Sequence, residues 1–266
     1  MTTSMTERWE RLPAMGRELG RLARQFFEDR GRLSVSLKGA QDWLTAADGA
    51  VEASFREMIA AAFPGDAVMG EEMGGGDAEN LWIIDPIDGT ANFMRGDRHW
   101  CVSVGFVRRG RPELGLLHSP ALDETFLARA GQGATLNGRR IKAADTASLS
   151  RACVEFGWST RLPNQDYLAV VDRLFAAGAN VRRAGSGALG IAHVACGRSD
   201  AYGELHINAW DVAAGLVIAS EAGALCSDFC SGDWLQGGNP ILVTAPGVHD
   251  EFVAVSGFAG APRLND

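Results

Sequence analysis

From Met5 onward the apolar residues fall at Trp9, Leu12, Met15, Leu19, Leu22 and Phe26. Steps of three and four place them on one helical face, so the spacing predicts an amphipathic helix ending near Gly31. Arg32 to Leu37 alternates like a short strand. A second stripe, Val51, Phe55, Met58, Ile59 and Ala62, predicts another helix. Its start carries a candidate capping box, Thr45 followed three residues later by Asp48, in which each side chain satisfies a free backbone N–H. Capping accounts for both residues. It leaves Lys38 and Asp42, in the loop just before, without a reason.

Leu81-Trp82-Ile83-Ile84 is a continuous apolar run that reads as a strand buried on both faces. It breaks abruptly into Asp85-Pro86-Ile87-Asp88-Gly89-Thr90. Proline donates nothing to a sheet ladder and biases its predecessor toward extended backbone, so the strand is expected to stop with Asp85 at its edge. Gly89 permits a tight turn, and Thr90 is expected to cap a helix begun by Ala91, Asn92 and Phe93. Beyond it Cys101 to Val107, Glu113 to His118, Glu124 to Ala128 and Gly133 to Leu136 form an antiparallel meander, with Asn137-Gly138 as a hairpin turn.

Around Ala144 to Ser150 the chain turns small and polar, and strands then alternate with helices. Strands are expected at Ala152 to Phe156, Val181 to Arg183 and Ser199 to Glu204. Helices are expected at Gln165 to Ala177, from Gly185-Ser186-Gly187 to Cys196, and from Trp210 to Gly223. Such alternation argues an α/β unit. The chain therefore divides into residues 1–146, an α+β subdomain with an antiparallel sheet, and residues 147–266, an α/β subdomain.

Composition narrows the chemistry. The 266 residues carry a formal net charge of −8, with 46% hydrophobic and 22% charged residues. That balance disfavours a nucleic-acid or anionic-membrane binder, which needs clustered Lys and Arg. Arg108, Arg109 and Arg111 read as a solvated turn. No run reaches the roughly 20 apolar residues of a membrane span, and the first residues lack an apolar signal core; the expected location is the cytoplasm. Five cysteines, Cys101, Cys153, Cys196, Cys226 and Cys230, suit reduced thiols in apolar surroundings. Cys226 and Cys230 lack a second ligand pair for zinc.

The remaining acidic residues are the informative ones. Asp85 and Asp88 lie beside a glycine and a hydroxyl at a helix start, which joins ligands for a hard cation to a cradle for a phosphate. Solvated acidic turns explain them equally well. Glu71 and Glu72, before the run Gly74 to Gly76, are either a solvated loop or ligands on a neighbouring strand end. Asp211, in the first turn of an apolar helix, favours the helix dipole or faces a site together with Glu204. His206 reads as structural.

Taken in order, Lys38 with Asp42-Trp43-Leu44-Thr45-Ala46-Ala47-Asp48, Gly70-Glu71-Glu72, Trp82 to Phe93, and Trp210-Asp211-Val212-Ala213-Ala214-Gly215 resemble the inositol monophosphatase family. These are Mg²⁺-dependent, lithium-sensitive phosphatases that include relatives of fructose-1,6-bisphosphatase. The resemblance implies a layered αβαβα sandwich and a homodimer, with two to three Mg²⁺ per site and Li⁺ inhibition. It implies that Glu71, Asp85, the Ile87 carbonyl and Thr90 hold a first Mg²⁺, and that Asp85, Asp88 and Asp211 hold a second. Glu71 would assist a third through water. Thr90 and Asp48 would orient and deprotonate the attacking water, while N–H groups around Gly89 and Thr90 hold phosphate oxygens. Asp88, the Gly185-Ser186-Gly187 backbone, Glu204 and Asp211 would hold the alcohol.

The implied substrate is inositol monophosphate or a similar small phosphorylated alcohol. Histidinol phosphate, fructose-1,6-bisphosphate and 3′-phosphonucleotides are the alternatives within the same chemistry. A non-catalytic metal-binding interaction protein is the alternative outside it. Asn208 stands where some inositol phosphatases have histidine, and Gly187 where alanine is common; both bear on substrate rather than on chemistry.

Overall fold

The computed structural model describes residues 4–30, 35–39 and 42–258. The first stripe forms α1 (Met5–Glu28). Its N-cap Ser4 accepts from the Glu7 N–H at 3.2 Å, and the Glu7 carboxylate accepts from the Ser4 N–H at 2.7 Å. β1 (Val35–Gly39) pairs antiparallel with β2 (Asp42–Thr45). Residues 32–34 of the expected strand, and the side chains of Lys38 and Asp42, lie outside the described residues. α2 (Ala46–Ala62) starts at the Thr45 N-cap.

Among the described residues, seven strands form the first sheet in sequence order. They are β3 (Ala67–Gly70), β4 (Asn80–Asp88), β5 (Cys101–Arg108), β6 (Arg111–Ser119), β7 (Glu124–Arg129), β8 (Ala134–Leu136) and β9 (Arg139–Arg140). The short helix α3 (Thr90–Arg95) follows β4. Only β3 and β4 run parallel; the rest is the expected meander. The β8–β9 turn is Asn137-Gly138, with φ of 49° and 77°, as a tight hairpin requires.

The second half supplies β10 (Cys153–Phe156), α4 (Asn164–Ala176), β11 (Asn180–Arg182), α5 (Gly187–Ala195), β12 (Ala201–Ile207) and α6 (Ala209–Glu221). It ends with β13 (Leu225–Cys226), α7 (Trp234–Gly237), β14 (Asn239–Thr244) and α8 (His249–Ser256). The second sheet has the order β11-β10-β12-β14-β13. β10 is parallel to both β11 and β12.

Side-chain alternation sorts these elements into layers. Trp82 and Ile84 of β4 pack with Leu12, Leu19, Phe55 and Phe106 under α1 and α2. Leu81 and Ile83 point the other way, into a core with Ile191 of α5, Ala213 and Leu216 of α6, and Val243 of β14. Val154, Leu174, Leu242 and Phe252 close a third core beneath α4 and α8. The result is the expected αβαβα sandwich: α1 and α2, first sheet, α5 and α6, second sheet, α4 and α8. Trp82 shows how tightly the first core is made. Its ring stacks on Phe63 at 5.6 Å and meets Phe106 at 4.9 Å. Its Nε1 donates to Asp66 at 2.9 Å, and Asp66 also pairs with Arg8.

α6 is apolar on nearly every side because it lies between two sheets. It approaches the first sheet over Gly105 and Gly115: a Cβ at Gly105 would sit 2.9 Å from Ala213 Cβ, and one at Gly115 would strike the Ala214 carbonyl oxygen. That close seat fixes the height at which Asp211, in the first turn of α6, meets the strand ends. Among the described residues no helix is long and apolar enough to cross a membrane.

Candidate active site

β4 departs from the expectation at Pro86. The strand continues through Asp88, with a register shift between Asp85, opposite Ser103, and Asp88, opposite Cys101. One extra residue is accommodated there, and a proline at a bulge costs no ladder bond. Pairing with β3 has already ended at Ile84. The bulge has a chemical consequence. In a regular strand residues three apart point to opposite faces. Here the carboxylates of Asp85 and Asp88 converge, and with Asp211 they place three oxygens within 4.8 Å of one another.

Each carboxylate is held by backbone N–H donors. Asp85, 1% exposed, accepts from the Ile87 N–H at 2.9 Å. Asp88 accepts from Gly187 N at 3.2 Å, Ala188 N at 2.9 Å and the Ser186 hydroxyl. Ser186 is the N-cap of α5, so the Gly185-to-Ala188 loop is tied directly to Asp88. Asn92 ties the same loop to α3, donating to His99 O at 2.8 Å and Ala184 O at 2.9 Å. Asp211 is the third residue of α6 and accepts from the Asn208 N–H at 3.0 Å. Glu71 follows β3, with its N–H on the Ile84 carbonyl at 3.3 Å, and lines the same cleft as Asp88 and Asp211.

Thr90 differs from its expected role. The cap of α3 is Gly89, in left-handed backbone at φ 93°, where a Cβ is disfavoured. Thr90 is instead the first helical residue, and its hydroxyl donates to the Ile87 carbonyl at 2.9 Å. The same hydroxyl lies 3.5 Å from Asp48 Oδ1. Asp48 is fully buried, and its Oδ2 accepts from Thr45 N at 2.9 Å and Thr45 Oγ1 at 2.5 Å. The capping box and the site are therefore the same residues: one oxygen of Asp48 starts α2 and the other faces Thr90.

Burial and mutual repulsion raise the carboxyls in this cluster. Asp85 is pushed well above the usual carboxylate range, first by burial, then by Glu71, Asp88, Asp211 and Asp48. Asp211 rises likewise, from burial, Asp88, Glu71 and Glu204. Burial lifts Asp88 to about 6 even though its Ser186, Ala188 and Gly187 donors oppose the rise. Converging hard oxygen donors that resist ionisation together are the donor set of a divalent cation. Two oxygens on one Mg²⁺ stand at most about 4.2 Å apart, from bonds of roughly 2.1 Å. The three oxygens lie within 4.8 Å of one another, so a small inward shift of the side chains would let them share a cation.

From this floor a cleft of 640 Å³ opens toward the second sheet. Glu204 stands in it, buried, with the Tyr202 hydroxyl donating at 2.6 Å. Burial raises its carboxyl to about 7, against the Tyr202 bond and the charge of Arg183. β12 does not stop at Glu204 as expected but bulges there and continues to Ile207. Sequence reading missed Glu155, Tyr202, Trp158, Arg161 and Arg183, all on the cleft wall. Glu155 had a signal, a lone carboxylate in the apolar run Cys153 to Phe156; burial lifts it to about 6 and Arg182 pairs with it at 3.3 Å. It also missed Glu52, fully buried, which accepts from Glu72 N at 2.9 Å and Met73 N at 3.1 Å and so fixes the loop of Glu71. All five cysteines are free thiols.

Comparison with known proteins places this geometry. A sequence profile described as "Inositol monophosphatase family" matches residues 12–256. The Nus factor SuhB of Pseudomonas aeruginosa is 39% identical over 233 residues, 84% of this chain and 86% of that protein. The protein of the same name from Escherichia coli K12 is 36% identical, covering 86% and 90%. The Thermotoga maritima IMPase superposes with a TM-score of 0.84 at 34% identity, over 94% of this chain and 96% of that one. Inositol monophosphatase from Anabaena superposes at 0.82 with 33% identity, over 99% of both chains. With its layered fold, and with Glu71, Asp88 and Asp211 brought to one cleft, the chain belongs to the inositol monophosphatase family.

Proposed function

We propose that the protein is a Mg²⁺-dependent phosphomonoesterase acting on inositol monophosphate or a similar small phosphorylated alcohol. The observation that carries this reading is the convergence of the buried Asp85 and Asp88 with the partly exposed Asp211 at the base of the cleft. In this reading Asp85, Asp88 and Asp211, with Glu71, the Ile87 carbonyl and the Thr90 hydroxyl, hold the cations. A bound divalent cation supplies the positive charge that makes attack on a phosphate ester feasible near neutral pH.

The chain's own groups do the rest. Asp48 is held by Thr45 so that Oδ1 faces the Thr90 hydroxyl at 3.5 Å. A water hydrogen-bonded to that hydroxyl passes its proton toward Asp48, whose carboxylate accepts it. Thr90 and Ala91 lie in the first turn of α3, where backbone N–H groups have no intrahelical acceptor. With Gly89 they receive the non-bridging phosphate oxygens. Asp88 and Asp211 bind the alcohol side of the ester together with the Gly185–Gly187 backbone, and Glu204 accepts from a hydroxyl or amine of that alcohol.

The name Nus factor carried by the relatives supports a second reading, a non-catalytic binding role. One experiment separates the two. Phosphate release with Mg²⁺ is measured over inositol-1-phosphate, histidinol phosphate, fructose-1,6-bisphosphate and a 3′-phosphonucleotide. Mg²⁺-dependent turnover of one or more is expected. A folded protein inert toward all four refutes the catalytic reading and favours the binding role.

A further inference from the structure

β10 and β11 are parallel and end side by side, at Phe156 and Arg182. Ligands of α/β sheets gather beyond the carboxyl ends of such strands. The chain leaves β10 through Gly157, Trp158 and Arg161 and leaves β11 through Arg183, and all four line the cleft. The two adjacent arginines have separate fates. Arg182 is used structurally, bonding Glu155 at 3.3 Å and the Ser199 hydroxyl at 2.6 Å. Arg183 lies over the Trp158 ring, 5.5 Å from guanidinium carbon to centroid. The indole is itself anchored, its Nε1 donating to Asn164 at 2.9 Å.

Among the described residues no carboxylate comes within the 4.0 Å of an ion pair to Arg161 or Arg183. A guanidinium laid on an indole face keeps the N–H donors along its edge available for a planar or tetrahedral anion. The rest of the wall is acidic, with Glu71, Asp88, Glu155, Glu204 and Asp211. Among the described residues that line the cleft, Arg161 and Arg183 are the only Lys or Arg side chains, so an anion beyond the cation floor is drawn to the mouth that they form.

We propose that this mouth is a second anion subsite, so that among small phosphorylated alcohols the site prefers those whose alcohol carries a further phosphate or carboxylate. The proposal rests on the phosphomonoesterase reading, since it takes the scissile phosphate to lie on the Asp85, Asp88 and Asp211 floor. Trp158 holds Arg183 in place, and Arg183 and Arg161 receive the second anion.

The test compares kcat/KM with Mg²⁺ for three matched pairs: fructose 1-phosphate and fructose 1,6-bisphosphate, adenosine 3′-phosphate and adenosine 3′,5′-bisphosphate, glycerol 2-phosphate and 2-phosphoglycerate. A preference of about tenfold or more, equivalent to about 1.4 kcal/mol, is expected for the doubly anionic member of at least one pair. The pair that shows it identifies the source of the anion. Arg183→Ala, and more fully Arg183→Ala with Arg161→Ala, should collapse that ratio toward one through KM. Equal rates within all three pairs, or a ratio that survives the double substitution, overturn the subsite. No hydrolysis of any of the six overturns the phosphomonoesterase reading and the subsite with it.

Discussion

Asp88→Asn separates the chemistry of the site from its stability. Asp88 carries a carboxyl raised from 3.8 to about 6 by burial, which corresponds to about 3 kcal/mol disfavouring the charged form. A group whose folded pKa is raised contributes stability that is complete below the unfolded value and lost as pH rises through the folded one. In EDTA the unaltered protein therefore loses that contribution between pH 4 and pH 6, and at pH 8 it carries the full penalty of a buried anion. Asparagine removes the charge. It also turns an N–H₂ toward one of the donors, Gly187 N, Ala188 N or Ser186 Oγ, at about 1–3 kcal/mol. The opposing effects nearly cancel at pH 8, so the variant should melt within a few degrees of the parent there. At pH 5, midway through that window, only about half of the relief remains, and the variant should be the less stable protein. Phosphate release with Mg²⁺ should fall at least about a hundredfold, from the loss of several kcal/mol of charge stabilisation. Activity near that of the parent would refute the placement of the cation site. A stability loss equal at pH 5 and pH 8 would refute the argument from burial.

Three further outcomes test other parts of the structure. Glu204→Gln should reorder the substrates more than it slows p-nitrophenyl phosphate, because Glu204 lines the cleft away from the reacting floor; an equal loss across all esters would remove its specificity role. Glu52→Gln should raise the Mg²⁺ concentration for half-maximal activity by about 10–100-fold, since Glu52 sets the loop that carries Glu71, and an unchanged Mg²⁺ curve would show that loop to be set by other contacts. Gly115→Ala would drive a methyl into the Ala214 carbonyl; a cost of about 1–3 kcal/mol should appear as a melting point lowered by several degrees, and an unaltered melt would mean that α6 does not sit so close.

Much of the fold was legible because local patterns carried it. The stripe from Trp9 to Phe26 formed α1 over Met5–Glu28, and Asn137-Gly138 turned the β8–β9 hairpin. The errors share a cause. Pro86 was expected to end β4, and Thr90 to cap α3. Both expectations used only the residue's own backbone preference, whereas the outcome depended on the neighbouring strand. β5 continues to pair at Cys101 across the bulge, and Gly89 reaches a left-handed conformation that Thr90 could not adopt cheaply. Glu155 and Arg183 escaped notice for a related reason: a single charge in or beside a strand says nothing about which wall it will face.

What the sequence alone determined is the inventory: helices and strands with the right periods, hard oxygen donors at their ends, and four stretches in an order that resembles one family. Periodicity and end signals are local, so they survive without the fold. Only the tertiary structure decided convergence. The bulge turned Asp85 and Asp88 to one side, the seat of α6 on Gly105 and Gly115 brought Asp211 to meet them, and the parallel ends of β10 and β11 set Arg183 over Trp158. Those are distances between residues up to 126 positions apart in the chain, Asp85 and Asp211, and no local preference encodes them.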